Sequence, residues 1–128
     1  MNIVLRIMLP LGITVCAVAA PPEPTIVDTD AVPWDVGPAE GITLKRFTGH
    51  LARLNLVRWV DGTTTAPHTH ATEQILLVQS GSYRITVEGK AHVLEAGDLI
   101  VVPSFALHGI VALEDSEHIA VFAPAALP

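Results

Sequence analysis

Two histidines stand one residue apart in the stretch PHTHATEQ, and a glutamine follows four residues after the second. Residues i and i+2 of a strand share a face, so His68 and His70 point together, and the even spacing lets Gln74 join them. Imidazole is the commonest metal-binding side chain. This donor set favours one divalent transition metal (Mn, Fe, Ni, Zn or Cu) over Ca or Mg, which prefer oxygen ligands alone. A chance pair in a surface loop is the alternative, because the chain contains six histidines.

The other histidines of the central and C-terminal chain are not paired in sequence. His50, His92 and His118 each stand alone. For each of them a solvent-exposed or capping role is the prediction, and none is expected to bind metal.

The elements that position these residues are predicted to be strands. Helical periodicity is absent from nearly all of the chain, whereas short β-rich segments separated by turn residues are frequent. The predicted strands are 43–46, 52–60, 74–79, 82–88, 90–94, 99–102, 107–113 and 119–122. Such closely spaced short strands are typical of an all-β sandwich or small barrel.

Composition narrows the class of protein. Half of the residues are hydrophobic and 16% are charged, which is too apolar for a disordered chain. The net charge of −6 repels phosphate backbones, so no nucleic-acid partner is expected. Cys16 is the only cysteine, so the fold has to rest on its core without a disulfide.

The first nineteen residues are predicted to be a secretory signal peptide. Arg6 precedes an apolar run that ends in small residues, and a cut before Ala20 fits this pattern. The mature protein is then exported, either periplasmic or secreted, with no stable membrane span. A retained N-terminal anchor is the alternative. Residues 20–40 are rich in Pro and acidic residues, and they are predicted to form an extended arm before a single domain at 41–125.

Two strand segments are apolar on both faces. They are QILLV, at 74–78, and GIVAL, at 109–113. A small domain cannot cover both faces of such strands by itself, so a homodimer is predicted.

Two groups of residues resemble the motifs of the cupin superfamily. The first group is Gly62, His68, His70, Gln74 and Gly81, and the second is Gly97, Pro103 and His108. The resemblance implies a jelly-roll barrel, also called a double-stranded β-helix. It also implies His108 as a fourth metal ligand beside His68, His70 and Gln74.

Within that superfamily, most of residues 32–125 resemble the single-domain cupins of pectin and alginate breakdown. The resemblance implies help in opening unsaturated uronate monosaccharides to linear keto forms. Those cupins carry a pocket Asp shortly before the Phe of the last strand and an Arg just beyond. Phe122 is retained, but the matching positions hold Ala120 and Ala126.

Three functions remain open at this level. The first is a metal-dependent isomerase or lyase acting on a small carbonyl or hydroxyl compound such as a sugar acid. The second is a metal-dependent dioxygenase, and the third is a non-catalytic module that binds a metal or small molecule. Arg58 and Arg84 are candidates to hold a ligand carboxylate, although strand alternation turns Arg84 outward. For both of them an ordinary solvated charge is the favoured prediction.

The aromatic residues supply candidates for the wall of a binding pocket. Phe105, Phe122 and Trp59 are the predicted pocket residues. The catalytic residues themselves stay unknown from sequence.

Overall fold

The computed structural model describes residue 21 and residues 23–125, and this part of the chain forms nine strands. They are β1 (Asp35–Val36), β2 (Ile42–Thr48), β3 (Arg53–Trp59), β4 (Glu73–Ser80), β5 (Ser82–Val87), β6 (Lys90–Glu95), β7 (Leu99–Val102), β8 (His108–Ala112) and β9 (Ser116–Ala123). The predicted signal segment, Cys16 and Ala126 lie outside the described residues.

The strands form two antiparallel sheets. The larger sheet has the order β1-β2-β3-β9-β4-β7, and the smaller has the order β6-β5-β8. All eight predicted strands are present, with ends shifted by a few residues, so the all-β prediction is confirmed. The short strand β1 was not predicted. It lies inside the segment predicted to be an arm, and it pairs with β2.

The core lies between the inner faces of the two sheets. Its fully buried members include Leu76 and Val78 from β4 and Tyr83 and Ile85 from β5. Alternation along β5 places Arg84 on the outer face, as the sequence predicts. No helix in the described part of the chain is long and apolar enough to cross a membrane.

The register of the larger sheet sets up two rows of side chains on its inner face. Phe122 on β9 lies opposite Arg53 on one side and opposite Gln74 on the other. In the next row inward, Asn55 on β3 lies opposite both Arg46 on β2 and Ala120 on β9. Residues far apart in sequence thereby come to one wall of the space between the sheets.

The segment before β1 packs on the outer face of β2 and β3. The Trp34 ring lies 3.9 Å from the guanidinium carbon of Arg58 and 4.9 Å from the Lys45 ammonium. Lys45 is almost completely buried, and its Nζ donates a hydrogen bond of 2.6 Å to the Thr29 carbonyl. These contacts attach part of the predicted arm to the sheet through cation–π interactions.

Candidate metal centre and its cavity

Backbone pairing brings the first two histidines next to His108. The N–H of His68 donates to the His108 carbonyl at 2.9 Å, and the N–H of His108 donates back to the His68 carbonyl at 3.0 Å. His70 follows two residues later on the same side. One nitrogen of each of the three rings lies within 4.8 Å of the others, so the three imidazoles can hold a metal ion.

Each ring is oriented by a hydrogen bond from its Nδ1. The acceptors are backbone carbonyls: Ala66 for His68 at 2.9 Å, Thr72 for His70 at 2.7 Å, and Ala106 for His108 at 2.9 Å. A carbonyl only accepts, so Nδ1 carries the hydrogen and Nε2 keeps its lone pair in the neutral ring. The same second contact fixes the ring of many metal-binding histidines.

The Nε2 atom of His108 is the strongest sign of a missing partner. His108 is 1% exposed, and among the described residues its buried Nε2 has no hydrogen-bond partner. Burying a polar atom unpaired is unfavourable, and a metal ion at the centre of the three rings would satisfy it. The donor chemistry therefore fits a transition metal.

Gln74 reaches the same cluster. Its side-chain oxygen lies 3.0 Å from Nε2 of His70, and the residue is 6% exposed. Since Nδ1 of His70 bears the hydrogen, this contact brings two lone-pair donors together. Two atoms that bind the same cation have their lone pairs directed toward a common point, as these two do. Metal binding by Gln74 stays a prediction.

Burial also keeps one ligand in its metal-binding form. Desolvation lowers the pKa of His108 and outweighs the hydrogen bond to the Ala106 carbonyl, which raises it. The nearby charges of His68 and His70 lower the pKa further. The neutral imidazole, which is the form that coordinates metal, is thus favoured.

The histidine cluster opens into a cavity of about 770 Å³ between the two sheets. His68, His70 and Gln74 line one part of its wall, and Trp59 and Phe122 line another. This volume is within the range of small-molecule pockets.

The comparisons with known proteins assign the fold to a family. Residues 55–123, more than half of the chain, match the cupin domain. The chain belongs to the cupin family. Its single described domain is therefore a cupin barrel, as the two sequence motifs indicate.

Two relatives of this cupin carry the same protein name. The chain is 32% identical over 89 residues to the pectin degradation protein KdgF of Dickeya dadantii, which covers 67% of this chain and 79% of that protein. The solved structure of KdgF from a Halomonas species superposes with a TM-score of 0.74 at 30% identity, covering 80% of this chain and 94% of that one. This cupin is thus similar to the cupins of pectin degradation.

A more distant structural neighbour shares only the fold. Salicylate 1,2-dioxygenase from Pseudoaminobacter salicylatoxidans superposes with a TM-score of 0.66 at 22% identity. The match covers 70% of this chain but 26% of that enzyme.

One predicted pocket residue of this cupin lies elsewhere. Phe105 is 70% exposed and is not among the residues that line the cavity. It lies in the turn between β7 and β8 in the left-handed backbone region, at φ 64°, where its N–H donates to the His70 carbonyl. The turn uses the backbone of Phe105 to position His70, and this directs the ring to solvent.

Arg58 and Arg84, the two candidates to hold a carboxylate, lie outside the cavity and are solvated, as the favoured prediction for them has it. Arg58 is exposed and forms an ion pair of 2.7 Å with Glu117, and Arg84 faces outward. The cavity wall instead contains Arg46, Arg53 and Asn55. Strand alternation indicates only that Arg46 shares a face with Leu44 and that Arg53 shares one with Val57, and it does not indicate that this face lines a cavity.

The prediction for His118 is wrong. His118 is 4% exposed and lines the inner part of the cavity, where its Nδ1 accepts a hydrogen bond of 3.0 Å from the Tyr83 hydroxyl. Tyr83 lies on the opposite sheet, and no local sequence pattern links the two positions. His50, by contrast, is exposed as predicted.

Proposed function

We propose that this cupin is a metal-dependent isomerase of small sugar acids, which opens an unsaturated uronate monosaccharide to its linear keto form. The observation that carries the proposal is the cluster of three histidine rings, of which His68 and His70 line the wall of a small-molecule cavity. Similarity to two KdgF proteins, one of them named for pectin degradation, supports the substrate class.

The proposed metal site consists of His68, His70, Gln74 and His108. All four side chains are neutral, so a divalent ion would keep its full charge and polarise a carbonyl or hydroxyl oxygen of the substrate. The residues of the chain contribute orientation: three backbone carbonyls fix the histidine rings, and Phe122 packs edge-on against His70 with ring centroids 5.4 Å apart. The identity of the metal stays open among Mn, Fe, Ni, Zn and Cu.

The test measures metal and turnover in the same variants. Wild-type protein should bind an equimolar amount of metal and should remove the ultraviolet absorption of the conjugated enol ether in unsaturated uronates. His108→Ala should lose most of the metal and the activity, whereas His50→Ala, which changes an exposed histidine outside the cluster, should keep both. Full metal content in a His68→Ala/His70→Ala protein would contradict the proposed site.

Running the assay without oxygen separates the alternatives. An isomerase turns over equally well in anaerobic buffer, because no electrons leave the substrate. Strict dependence on oxygen would identify a dioxygenase instead. Metal binding with no turnover of any uronate would favour the non-catalytic binding module.

Ala120 offers a second test of the same reaction. Among the described residues that line the cavity there is no carboxylate. By the resemblance to the uronate cupins, Ala120 stands where those proteins have their pocket Asp. Ala120→Asp should raise kcat, because a positioned general acid or base contributes on the order of 10²–10⁴-fold. It should also raise KM. The new carboxylate lies diagonally across from Arg53 and would compete with the carboxylate of the substrate for this guanidinium. An Ala120→Asn variant tests the shape without the acid.

We also propose that the protein is exported and forms a homodimer. The apolar run after Arg6 supports export, and N-terminal sequencing of protein from the periplasm or medium should find a start near Ala20. The apolar outer face of the larger sheet supports the dimer.

A further inference from the structure

Two arginines and an asparagine form a polar patch on the cavity wall, here called the arginine patch: Arg46, Arg53 and Asn55. Arg46 and Asn55 are opposite each other on β2 and β3, and Arg53 lies two residues from Asn55 on the same strand. The two arginines are thus diagonal neighbours, with Cβ atoms about 7 Å apart. All three residues line the cavity that contains the histidine cluster.

Two polar atoms of the patch, one on Arg53 and one on Asn55, are buried without a partner in the described part of the chain, whereas Arg46 is exposed. Asn55 is 6% exposed, and its Oδ1 is buried without a hydrogen bond; the Nε of Arg53 is likewise buried and unpaired. Within residues 23–125 the ion pair that forms is Arg58–Glu117, on the other face of the sheet. A buried donor and a buried acceptor left unpaired side by side indicate a ligand that offers the complementary groups.

The arginine patch is positively charged, whereas the net charge of the chain is negative. Acidic residues outnumber Lys and Arg by thirteen to seven, yet the described wall of the cavity holds two arginines and no carboxylate. Burial lowers the pKa of Arg53, and the neighbouring charge of Arg46 lowers it further. A bound anion would relieve both effects, since an opposite charge stabilises the guanidinium.

Phe122 links the patch to the metal centre. The guanidinium carbon of Arg53 lies 4.4 Å from the Phe122 ring centroid, and the same ring contacts His70. Arg53, Phe122 and Gln74 are in one row on three adjacent strands, which puts about 10 Å between the outer Cα atoms. One small molecule can therefore contact the patch and the histidine cluster together.

We propose that Arg53 and Arg46 bind the carboxylate of the substrate while Asn55 accepts a hydrogen bond from one of its hydroxyls, so the cavity selects hydroxy acids. This assignment rests on the proposed function only in placing the substrate in the same cavity. Arginine suits the role because its planar donors match the two oxygens of a carboxylate.

The experiment compares two sugars that differ in charge. Binding of D-galacturonate and D-galactose is measured by calorimetry on the full protein, both metal-loaded and after chelation. Wild type should prefer galacturonate in both states. Arg53→Gln should weaken galacturonate binding about tenfold or more and leave galactose binding unchanged, because a hydrogen bond to a charged group is lost. Asn55→Ala should weaken both sugars, since both carry hydroxyls.

Arg84→Gln is the matched control, because Arg84 is an exposed arginine on the outer face of β5. It should bind both sugars as wild type does, and thermal melts without sugar should show that every variant is folded. An Arg46→Gln/Arg53→Gln protein with wild-type affinity for galacturonate would overturn the assignment, as would a wild type without preference for the acid. Neither readout requires turnover, so a retained preference in a protein that fails to isomerise uronates would refute the proposed function alone.

Discussion

His118 shows how burial can make one side chain sensitive to pH. It is 4% exposed, its Nδ1 accepts a hydrogen bond from Tyr83, and its ring lies 6.2 Å from that of Trp59. Desolvation lowers the pKa of His118 to about 4. Desolvation likewise raises the pKa of Tyr83, so the hydroxyl keeps its proton as the donor of this bond. The pair is therefore neutral in the folded protein.

This shift predicts a pH-dependent stability. Well above pH 6.5 His118 is neutral in both the folded and the unfolded chain. As the pH falls from 6.5 to about 4, the unfolded chain binds a proton that the folded chain does not, so the free energy of unfolding should fall by about 3 kcal/mol and then level off. Urea unfolding of metal-free protein at a series of pH values measures this slope. His118→Gln should reduce this slope, and the remainder includes the contribution of His108, whose pKa burial also lowers. An equal slope in that variant would contradict the assignment.

At this scale the sequence predicted part of the site. The spacing of His68 and His70 predicted a shared face, and the structure brings both to His108, which the motif resemblance added. Arg53 and His118 were not predicted, because single strands of alternating pattern do not say which face meets a cavity. Their roles depend on partners on other strands, Phe122 for Arg53 and Tyr83 for His118.

At the scale of the strands, a single glycine forms the turn that connects the larger sheet to the smaller sheet. Gly81 lies between β4 of the larger sheet and β5 of the smaller, at φ 73°. A Cβ at this position would collide with Oγ of Ser116 and would lie 2.5 Å from the Asp115 carbonyl. The Ser116 hydroxyl cannot simply move away, because it accepts a hydrogen bond of 3.0 Å from the N–H of Ser82.

Gly81→Ala should therefore destabilise the protein more than the same change at Gly89. Both glycines have positive φ, which costs an alanine about 1–2 kcal/mol, but no atom of the described residues lies within 4 Å of a Cβ at Gly89. The excess loss in Gly81→Ala measures the collision with Ser116 and Asp115. Thermal or urea unfolding of the two variants gives the comparison, and equal losses would show that the chain relaxes around position 81.

The strands themselves were largely predictable because they are short β-rich segments separated by turn residues. The exception is β1, which has two residues, Asp35 and Val36, in a stretch rich in Pro and Gly. It pairs with β2 across a short turn, in which the N–H of Gly37 donates to the Ile42 carbonyl at 2.9 Å. Local propensity carries no signal for such a strand.

For the whole molecule, the outer face of the larger sheet carries a block of apolar side chains, here called the outer block. Register places them in two rows across β3, β9, β4 and β7. The rows are Leu54, Val121, Ile75 and Val101, then Leu56, Ile119, Leu77 and Leu99. Leu99 and Val101 are 54% and 47% exposed. Covering a contiguous apolar patch of this kind is the ordinary role of a subunit interface.

The proposed homodimer predicts a dimeric mass by light scattering at micromolar concentration. Leu77→Glu, in the middle of the outer block, should give a monomer, because burying a charge opposite apolar side chains is unfavourable. Val93→Glu changes an exposed apolar residue on the smaller sheet and should leave the dimer intact. A monomeric wild type would contradict the proposal, and a monomer from Val93→Glu alone would move the interface to the smaller sheet.

The chain has two tryptophans, and they stand in unlike surroundings. Trp59 is 5% exposed, lines the cavity and meets Tyr83 edge-on with ring centroids 5.8 Å apart, whereas Trp34 lies between two cations on the outside of the sheet. Indole fluorescence responds to the polarity and charge around the ring. In Trp34→Phe the remaining indole is that of Trp59 in the cavity wall. Its fluorescence spectrum should therefore change when a ligand enters the cavity, without an added label. The reciprocal Trp59→Phe leaves one emitter that reports whether the N-terminal segment is attached to the sheet.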